Sequence, residues 1–225
     1  MILDHQLAAA RALLDNLPKL HYWGGPPQVG GLNQKIGARL IDEVGRYDAP
    51  RVIETGAGAT TLLFLGLGAG VTTIAPDPGL QERIMAEAAV RGIDTARLQF
   101  VCEPSEVALP RLAASGQRVD VALIDGHHGW PNVFVDFCYF NAMLGSGSTL
   151  LVDDLQLYSV GQLAYQLVEE PDFELMAVDD KLATFRKLTD APSLPDWRSQ
   201  PFIERLTAAG PSAADELSGL LVNRS

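Results

Sequence analysis

Short apolar runs alternate with helix-length patterns along most of this chain, and that alternation restricts the fold more than any other feature. The runs fall at 51–54, 71–76, 98–102, 119–124 and 148–152, with helical patterns near 60–67, 80–91, 105–114, 130–143 and 159–169. Parallel strands need long crossovers, so this order requires a parallel sheet with helices on both faces. Val119 to Ile124 and Thr149 to Val152 are almost continuously apolar, as strands buried on both sides must be. The pattern then changes. Phe173 to Val178 and Leu182 to Leu188 are separated only by Asp179-Asp180-Lys181. A gap that short allows a hairpin and forbids a crossover helix. The expected fold is α/β: a seven-stranded, mostly parallel sheet with an antiparallel last strand.

The 225 residues suit one domain with appendages. Residues 1–32 read as an N-terminal helix over 3–17, with Leu3, Leu7, Ala10 and Leu14 at helical spacing, followed by a Pro- and Gly-rich segment over 18–32. That segment is either a connector or a cover over a ligand. Residues 33–188 form the main domain, opening with a helix over 33–46 capped by Asn33. Residues 189–225, with Pro192, Pro195, Pro201 and Pro211, read as an irregular arm carrying a short helix near 199–208.

Seventeen Lys and Arg against 28 Asp and Glu give a formal charge of −11, which repels phosphate backbones and argues against a nucleic-acid partner. Leu62 to Val71, the longest apolar run, is broken by glycines and too short to span a bilayer. Cys102 and Cys138 are widely spaced among apolar neighbours and read as buried thiols. With no leader-like start, they point to the cytoplasm. A homodimer is expected on frequency alone.

Ligands of open parallel sheets bind beyond the carboxyl ends of the strands. After the first run come Glu54, Gly56 and Gly58. The glycines permit a tight turn and close backbone approach, while Thr60 and Thr61 can cap the next helix. Gly66, Gly68 and Gly70 read as turn residues. A dinucleotide fingerprint needs a third glycine where Thr61 stands, so a pyrophosphate ligand is disfavoured. Glu54 instead suits an ammonium or an ordered water. Asp77 closes the second run at the spacing of a carboxylate that accepts ribose hydroxyls. After the third run, Glu103 or Ser105 is placed to reach a base edge, with Cys102 as a small lining residue.

The fourth run delivers Asp125-Gly-His-His128 and the fifth Asp153-Asp154. Carboxylates gathered at one mouth repel one another, and a hard divalent cation such as Mg²⁺ or Ca²⁺ relieves that cost. Asp125, Asp153 and Asp154 are therefore candidate metal ligands. His127 or His128 is a candidate general base beside Asp125.

These pieces together resemble the class I S-adenosylmethionine-dependent methyltransferases, whose fold is Rossmann-like. The resemblance runs over Val52 to Thr61, Thr73 to Pro78, Val119 to His128 and Gly147 to Asp154, within residues 33–188. It is closest to the small-molecule O-methyltransferases that carry Asp-Gly-x-His after strand four and Asp-Asp after strand five. It implies an S-adenosylmethionine site lined by Glu54, Gly56, Gly58, Thr60, Asp77, Glu103, Ser105 and Asp125. It also implies Mg²⁺ on the acids after strands four and five, and a hydroxylated small molecule as methyl acceptor. The chain departs from the pattern at Leu155, where Asn or Tyr is usual, and at Cys102, where glycine is usual. Tyr22, Trp23 and Trp130 offer flat surface for a neutral sugar-like, phenolic or polyketide-like acceptor. Two alternatives stand beside this reading: a non-catalytic S-adenosylmethionine-binding subunit, with its histidines turned away from the cleft, and an NAD-dependent oxidoreductase.

Overall fold

The structure is a computed structural model that describes residues 2–190 and 196–209. Two helices precede the sheet. Helix α1 (Asp4–Asp15) buries Ala10, Leu13 and Leu14 on one face. Helix α2 (Gln34–Val44) begins at Asn33, whose side chain accepts the Ile36 N–H at 3.0 Å. This satisfies a backbone donor that the helix cannot satisfy internally.

The alternating region follows. Strand β1 (Arg51–Thr55) leads to α3 (Ala59–Gly66), then β2 (Gly70–Ile74) to α4 (Pro78–Arg91). Strand β3 (Leu98–Val101) leads to α5 (Ser105–Ala114), and β4 (Val119–Ile124) to α6 (Asn132–Met143). Strand β5 (Leu144–Val152) leads to α7 (Tyr158–Glu169) and then to the hairpin of β6 (Phe173–Asp179) and β7 (Leu182–Lys187). After a short 3₁₀ turn at Trp197–Ser199, helix α8 (Pro201–Ala209) is the last described element. Pro192, Pro195 and Pro211 lie outside the described residues.

The seven strands run in the order β3-β2-β1-β4-β5-β7-β6. The first five are mutually parallel, and β7 pairs antiparallel with both β5 and β6. The hairpin thus enters the sheet by its second arm, leaving β6 at the edge. Its turn is tight, with Asp180 at a φ of 60°, a left-handed conformation that Asp tolerates better than most side chains. Because β7 runs against β5, that turn arrives at the carboxyl end of β5, where Val152 faces Ala183.

Consecutive strand residues point to opposite faces, and each face has its own apolar layer. Val52, Val71, Val121 and Leu151 pack with residues of α1, α2, α3 and α4. Ile53, Ala122, Leu150 and Val152 pack with residues of α5, α6 and α7. The continuous apolar runs follow from this two-sided burial. Cys102 and Cys138 are exposed, against the expectation of buried thiols. Cys102 lies just past the end of β3, and Cys138 lies on the outward side of α6, so apolar neighbours in sequence do not become neighbours in space. No helix among the described residues is long and apolar enough to cross a membrane.

One buried ion pair ties α2 to the sheet. Arg186 of β7 donates to Glu43 at 2.6 Å, to the Thr149 hydroxyl at 2.6 Å and to the Tyr47 hydroxyl at 2.7 Å. Removing one member of a buried pair leaves an uncompensated charge, whereas replacing both with apolar groups removes the desolvation cost. Arg186→Met should cost about 3 kcal/mol in urea denaturation, and Glu43→Leu in that background should restore part of the loss. Simple addition of the two losses would show that the pair is not coupled.

Candidate active site

A cleft of about 950 Å³ opens beyond the carboxyl ends of β1, β2 and β4, under the segment that follows α1. It lies where the chain leaves β1 for one face of the sheet and β4 for the other. The loops after these neighbouring strands approach closely: the Asp125 N–H donates to the Thr55 carbonyl at 3.1 Å. Gly56 has a φ of 85°, and a Cβ there would overlap the carbonyl oxygen of Asp125. Only glycine meets both demands. The N–H of Gly58 is held by the Thr61 hydroxyl at 3.0 Å.

Glu54 does not face the cleft. It is fully buried beneath the turn, where Thr60 donates to it at 2.7 Å, Thr73 at 2.8 Å, and Thr61 through a further short bond. The expected contact with an ammonium is replaced by three hydroxyls that pin the start of α3 to β1 and β2. Burial raises the Glu54 carboxyl from 4.5 to about 7, against the lowering effect of those three hydrogen bonds. Thr60 lines the cleft, while its hydroxyl points inward to Glu54.

Asp77 and Ser105 both line the cleft. Asp77 has an exposed carboxylate, 3.0 Å from the Arg83 guanidinium. Its partial burial is outweighed by the Leu80 N–H and Arg83, which hold the carboxyl below its usual range. Arg83 also donates to the Leu20 carbonyl at 2.7 Å and lies over the Tyr22 ring at 5.0 Å. Glu103 turns outward instead, to Arg111 at 2.6 Å, and neither it nor Cys102 is among the cleft's lining residues.

The 18–32 segment covers the glycine turn. His21 and Gln28 exchange backbone hydrogen bonds of 3.1 and 2.8 Å, closing a loop around Tyr22 and Trp23. The His21 ring stacks on Trp23 at 4.9 Å and fills the space left by two glycines, 2.8 Å from where a Cβ of Gly58 would stand and 3.2 Å from that of Gly30. His21 and Arg83 were not legible as site residues. The glycines opposite His21 were the available signal. Tyr22 and Trp23 line the cleft, whereas Trp130 is exposed outside it.

At the far end of the cleft lie Asp125, His128, Asp154 and Lys181. The His128 Nε2 is 3.1 Å from Asp154 and 3.8 Å from Asp125. Burial lowers the His128 pKa below 6.5, against the raising effect of Asp154 and Asp153, so the ring is neutral near neutral pH. Burial, with the Asp153 charge beside it, raises Asp125 well above the usual carboxylate range. His127 is exposed at the cleft wall, and its Nδ1 accepts the Gly129 N–H at 3.2 Å, turning the ring back onto its own loop.

Lys181 is the unexpected member. Its ammonium donates to Asp153 at 2.8 Å and to Asp154 at 2.5 Å. Burial alone would lower the lysine and raise Asp154. Their mutual hydrogen bonds outweigh it, so Lys181 is raised and Asp154 lowered. Asp153 is buried behind Asp154 and stands outside the cleft lining. The acids expected to hold Mg²⁺ therefore do not fit it: one is turned inward, and both members of the pair already hold an ammonium. Asp125, His128 and Asp154 still bring three ligand atoms within 4.8 Å of one another. A divalent cation there would sit against the positive charge of Lys181, and one imidazole among its ligands suits Mg²⁺ less well than an all-oxygen set.

Comparison with known proteins agrees with this architecture. Residues 53–155 match the family model described as a methyltransferase domain. The cofactor-bound Rv0187 protein from MTB is 20% identical, with a TM-score of 0.63 over 84% of this chain and 92% of its own. The O-methyltransferase TomG from Streptomyces achromogenes, solved with SAM, is 16% identical, with a TM-score of 0.61 over 84% and 91%. The O-methyltransferase from Bacillus cereus, solved with SAH, is 14% identical, with a TM-score of 0.60 over 82% and 92%. No curated protein is a significant match in sequence. The chain has the class I, Rossmann-like methyltransferase fold.

The Glu54 carboxyl generates a prediction about stability. Between 4.5 and about 7 the folded protein keeps this group protonated while the unfolded chain ionises it, so stability falls as pH rises through that window. Relative to Glu54→Gln, the wild-type protein should lose about 3 kcal/mol between about pH 4 and about pH 8 in urea denaturation. A difference that stays constant with pH would place the Glu54 carboxyl at its ordinary value.

Proposed function

We propose that this protein transfers a methyl group from S-adenosylmethionine to a hydroxyl of a neutral small molecule, with His128 as general base. The observation that carries the proposal is the placement of a neutral, part-buried imidazole against Asp154 in the same cleft as the Gly56 turn and Asp77. The glycine turn fits the cofactor: side chains at Gly56 and Gly58 would collide with Asp125 and His21, so the backbone itself forms the cradle. Bound S-adenosylmethionine supplies an electrophilic methyl carbon, which leaves its sulfur for the acceptor oxygen.

The chain's own residues do the rest. Asp77 accepts the ribose hydroxyls, and Arg83 holds that carboxylate ionised and in place. His128 takes the proton from the acceptor hydroxyl at Nδ1, its unpartnered ring nitrogen, while Nε2 donates to Asp154, which stabilises the imidazolium that results. Tyr22 and Trp23 present apolar ring faces at the opening, suited to a phenolic, sugar-like or polyketide-like acceptor. A non-catalytic binding subunit would need both histidines turned away, and His128 lines the cleft. A dinucleotide site would need a glycine where Thr61 is buried against Glu54.

Two measurements test the proposal. In calorimetry Asp77→Ala should weaken S-adenosylhomocysteine binding at least about tenfold, through loss of charge-assisted hydrogen bonds. An unchanged affinity would remove Asp77 from the site. A mass-spectrometric screen of hydroxylated metabolites should reveal a methylated product. On that acceptor, His128→Gln should lower kcat by about a hundredfold or more with cofactor affinity within about twofold. Turnover surviving intact in His128→Gln would defeat the role of His128, and methylation confined to amines or carbon would defeat the transfer to oxygen.

A further inference from the structure

We propose that Lys181 supplies from within the chain the positive charge that a divalent cation would bring to the acidic mouth, and that its remaining N–H contacts the acceptor oxygen. The inference rests on the methyl-transfer reading above. An ammonium carries three N–H groups. Asp153 and Asp154 take two of them, at 2.8 and 2.5 Å, and among the described residues the third has no hydrogen-bond partner. Lys181 lines the cleft beside Asp125 and His128, so that third donor belongs to the space where the acceptor must lie.

The surroundings are built to hold Lys181 there. Its backbone is fixed on one side by the Leu155 N–H, which donates to the Lys181 carbonyl at 3.0 Å. The hairpin turn is fixed on the other side by Asn33, which donates to Asp180 at 2.9 Å, and by Arg39, which donates to Asp179 at 2.6 Å. A Cβ at Gly31 would overlap the lysine Nζ, so this glycine leaves open the path that Lys181 takes to the acids, and a side chain there would displace the ammonium. A lysine whose hairpin is held by α2 and by the segment after β5 is a positioned charge and not a solvated one.

The chemistry follows from the charges. As the acceptor oxygen attacks, its proton passes to His128 Nδ1, the ring nitrogen that does not face Asp154, and its lone pair forms the new C–O bond. An N–H donated to that oxygen stabilises the negative charge it carries while the proton departs. Asp153 and Asp154 carry two negative charges against the single positive charge of Lys181, and the imidazolium at His128 completes the balance. A metal with open positions can bind two adjacent oxygens, whereas a single N–H binds one. An isolated hydroxyl therefore suffices in an acceptor, and a vicinal diol confers no advantage.

The test uses Mn²⁺ as the probe, titrated into the full-length protein and followed by electron paramagnetic resonance. Lys181→Ala should bind Mn²⁺ at least about tenfold more tightly than the wild-type chain, because removing the ammonium leaves two carboxylates open to a hard cation. Asp153→Asn in that background should abolish the gain. S-adenosylhomocysteine affinity should stay within about twofold in Lys181→Ala. Should that variant not fold, Lys181→Met keeps the stem without the charge and is read the same way. Wild-type protein binding Mn²⁺ as tightly as the Lys181 variants would overturn the proposal, as would methyl transfer abolished by chelator in the wild-type enzyme. A wild-type chain that does not bind S-adenosylhomocysteine would defeat the functional reading instead, while the Mn²⁺ comparison still decides where the charge of Lys181 sits.

Discussion

The close approach of the β1 and β4 loops is the constraint from which the cleft, its cover and its polarity follow. Neighbouring parallel strands that send the chain to opposite faces must open a crevice between their loops. Here the crevice floor is backbone, because Gly56 stands against the Asp125 carbonyl with no room for a Cβ. A floor without side chains lets a ligand reach main-chain donors. It also leaves the chemistry to residues that approach from the sides: Asp77 from β2, Asp125 and His128 from β4, Asp154 from β5. The His21 ring completes the enclosure from above by filling the space that Gly58 leaves.

Glu54 shows why a carboxylate near the end of a strand run cannot be assigned to a ligand from sequence position alone. Glu54 still lies inside β1, paired with Thr73 of β2, and alternation puts it on the Val52 face that α3 covers. Three threonines, at 60, 61 and 73, supply enough donors to draw the carboxylate inward. Thr60 and Thr61 open α3 while Thr73 lies on β2, so their convergence exists only in the folded chain. The cost of that burial appears as the raised pKa, and the return is a rigid junction between β1, β2 and α3 directly beneath the cradle.

The order of elements was legible because it depends on periodicity, a property of neighbouring residues. The same holds for the Asn33 cap, the glycine turn and the antiparallel hairpin, each of which follows from local chemistry. What was not legible depends on long-range closure. Glu103 looked like a base-reading acid until Arg111 drew it outward. Asp153 and Asp154 looked equivalent, yet Asp153 is buried and only Asp154, at a left-handed φ of 66°, lines the cleft, although both hold Lys181. Asp125, His128, Asp154, Asp77 and Ser105 do converge on one cleft, because strand ends at one edge of a parallel sheet must be neighbours.

Lys181 joins the fold to the chemistry. As a hairpin spacer, Asp179-Asp180-Lys181 carries no motif. Its position becomes meaningful only once β7 is inserted antiparallel beside β5, since an antiparallel partner begins where a parallel strand ends. The turn that starts β7 is thereby delivered to the carboxyl end of β5, and the first side chain available there is Lys181. A parallel last strand would have placed its preceding loop at the opposite end of the sheet, more than a strand length from Asp153 and Asp154. The reversal of one strand therefore does two things at once. It closes the sheet against α2 through Arg186 and Glu43, and it brings an ammonium to a mouth where three carboxylates would otherwise repel one another. Because Arg39 bridges Asp179 to Glu43 on α2, the pair that stabilises the fold and the pair that sets the charge of the site share one anchored hairpin.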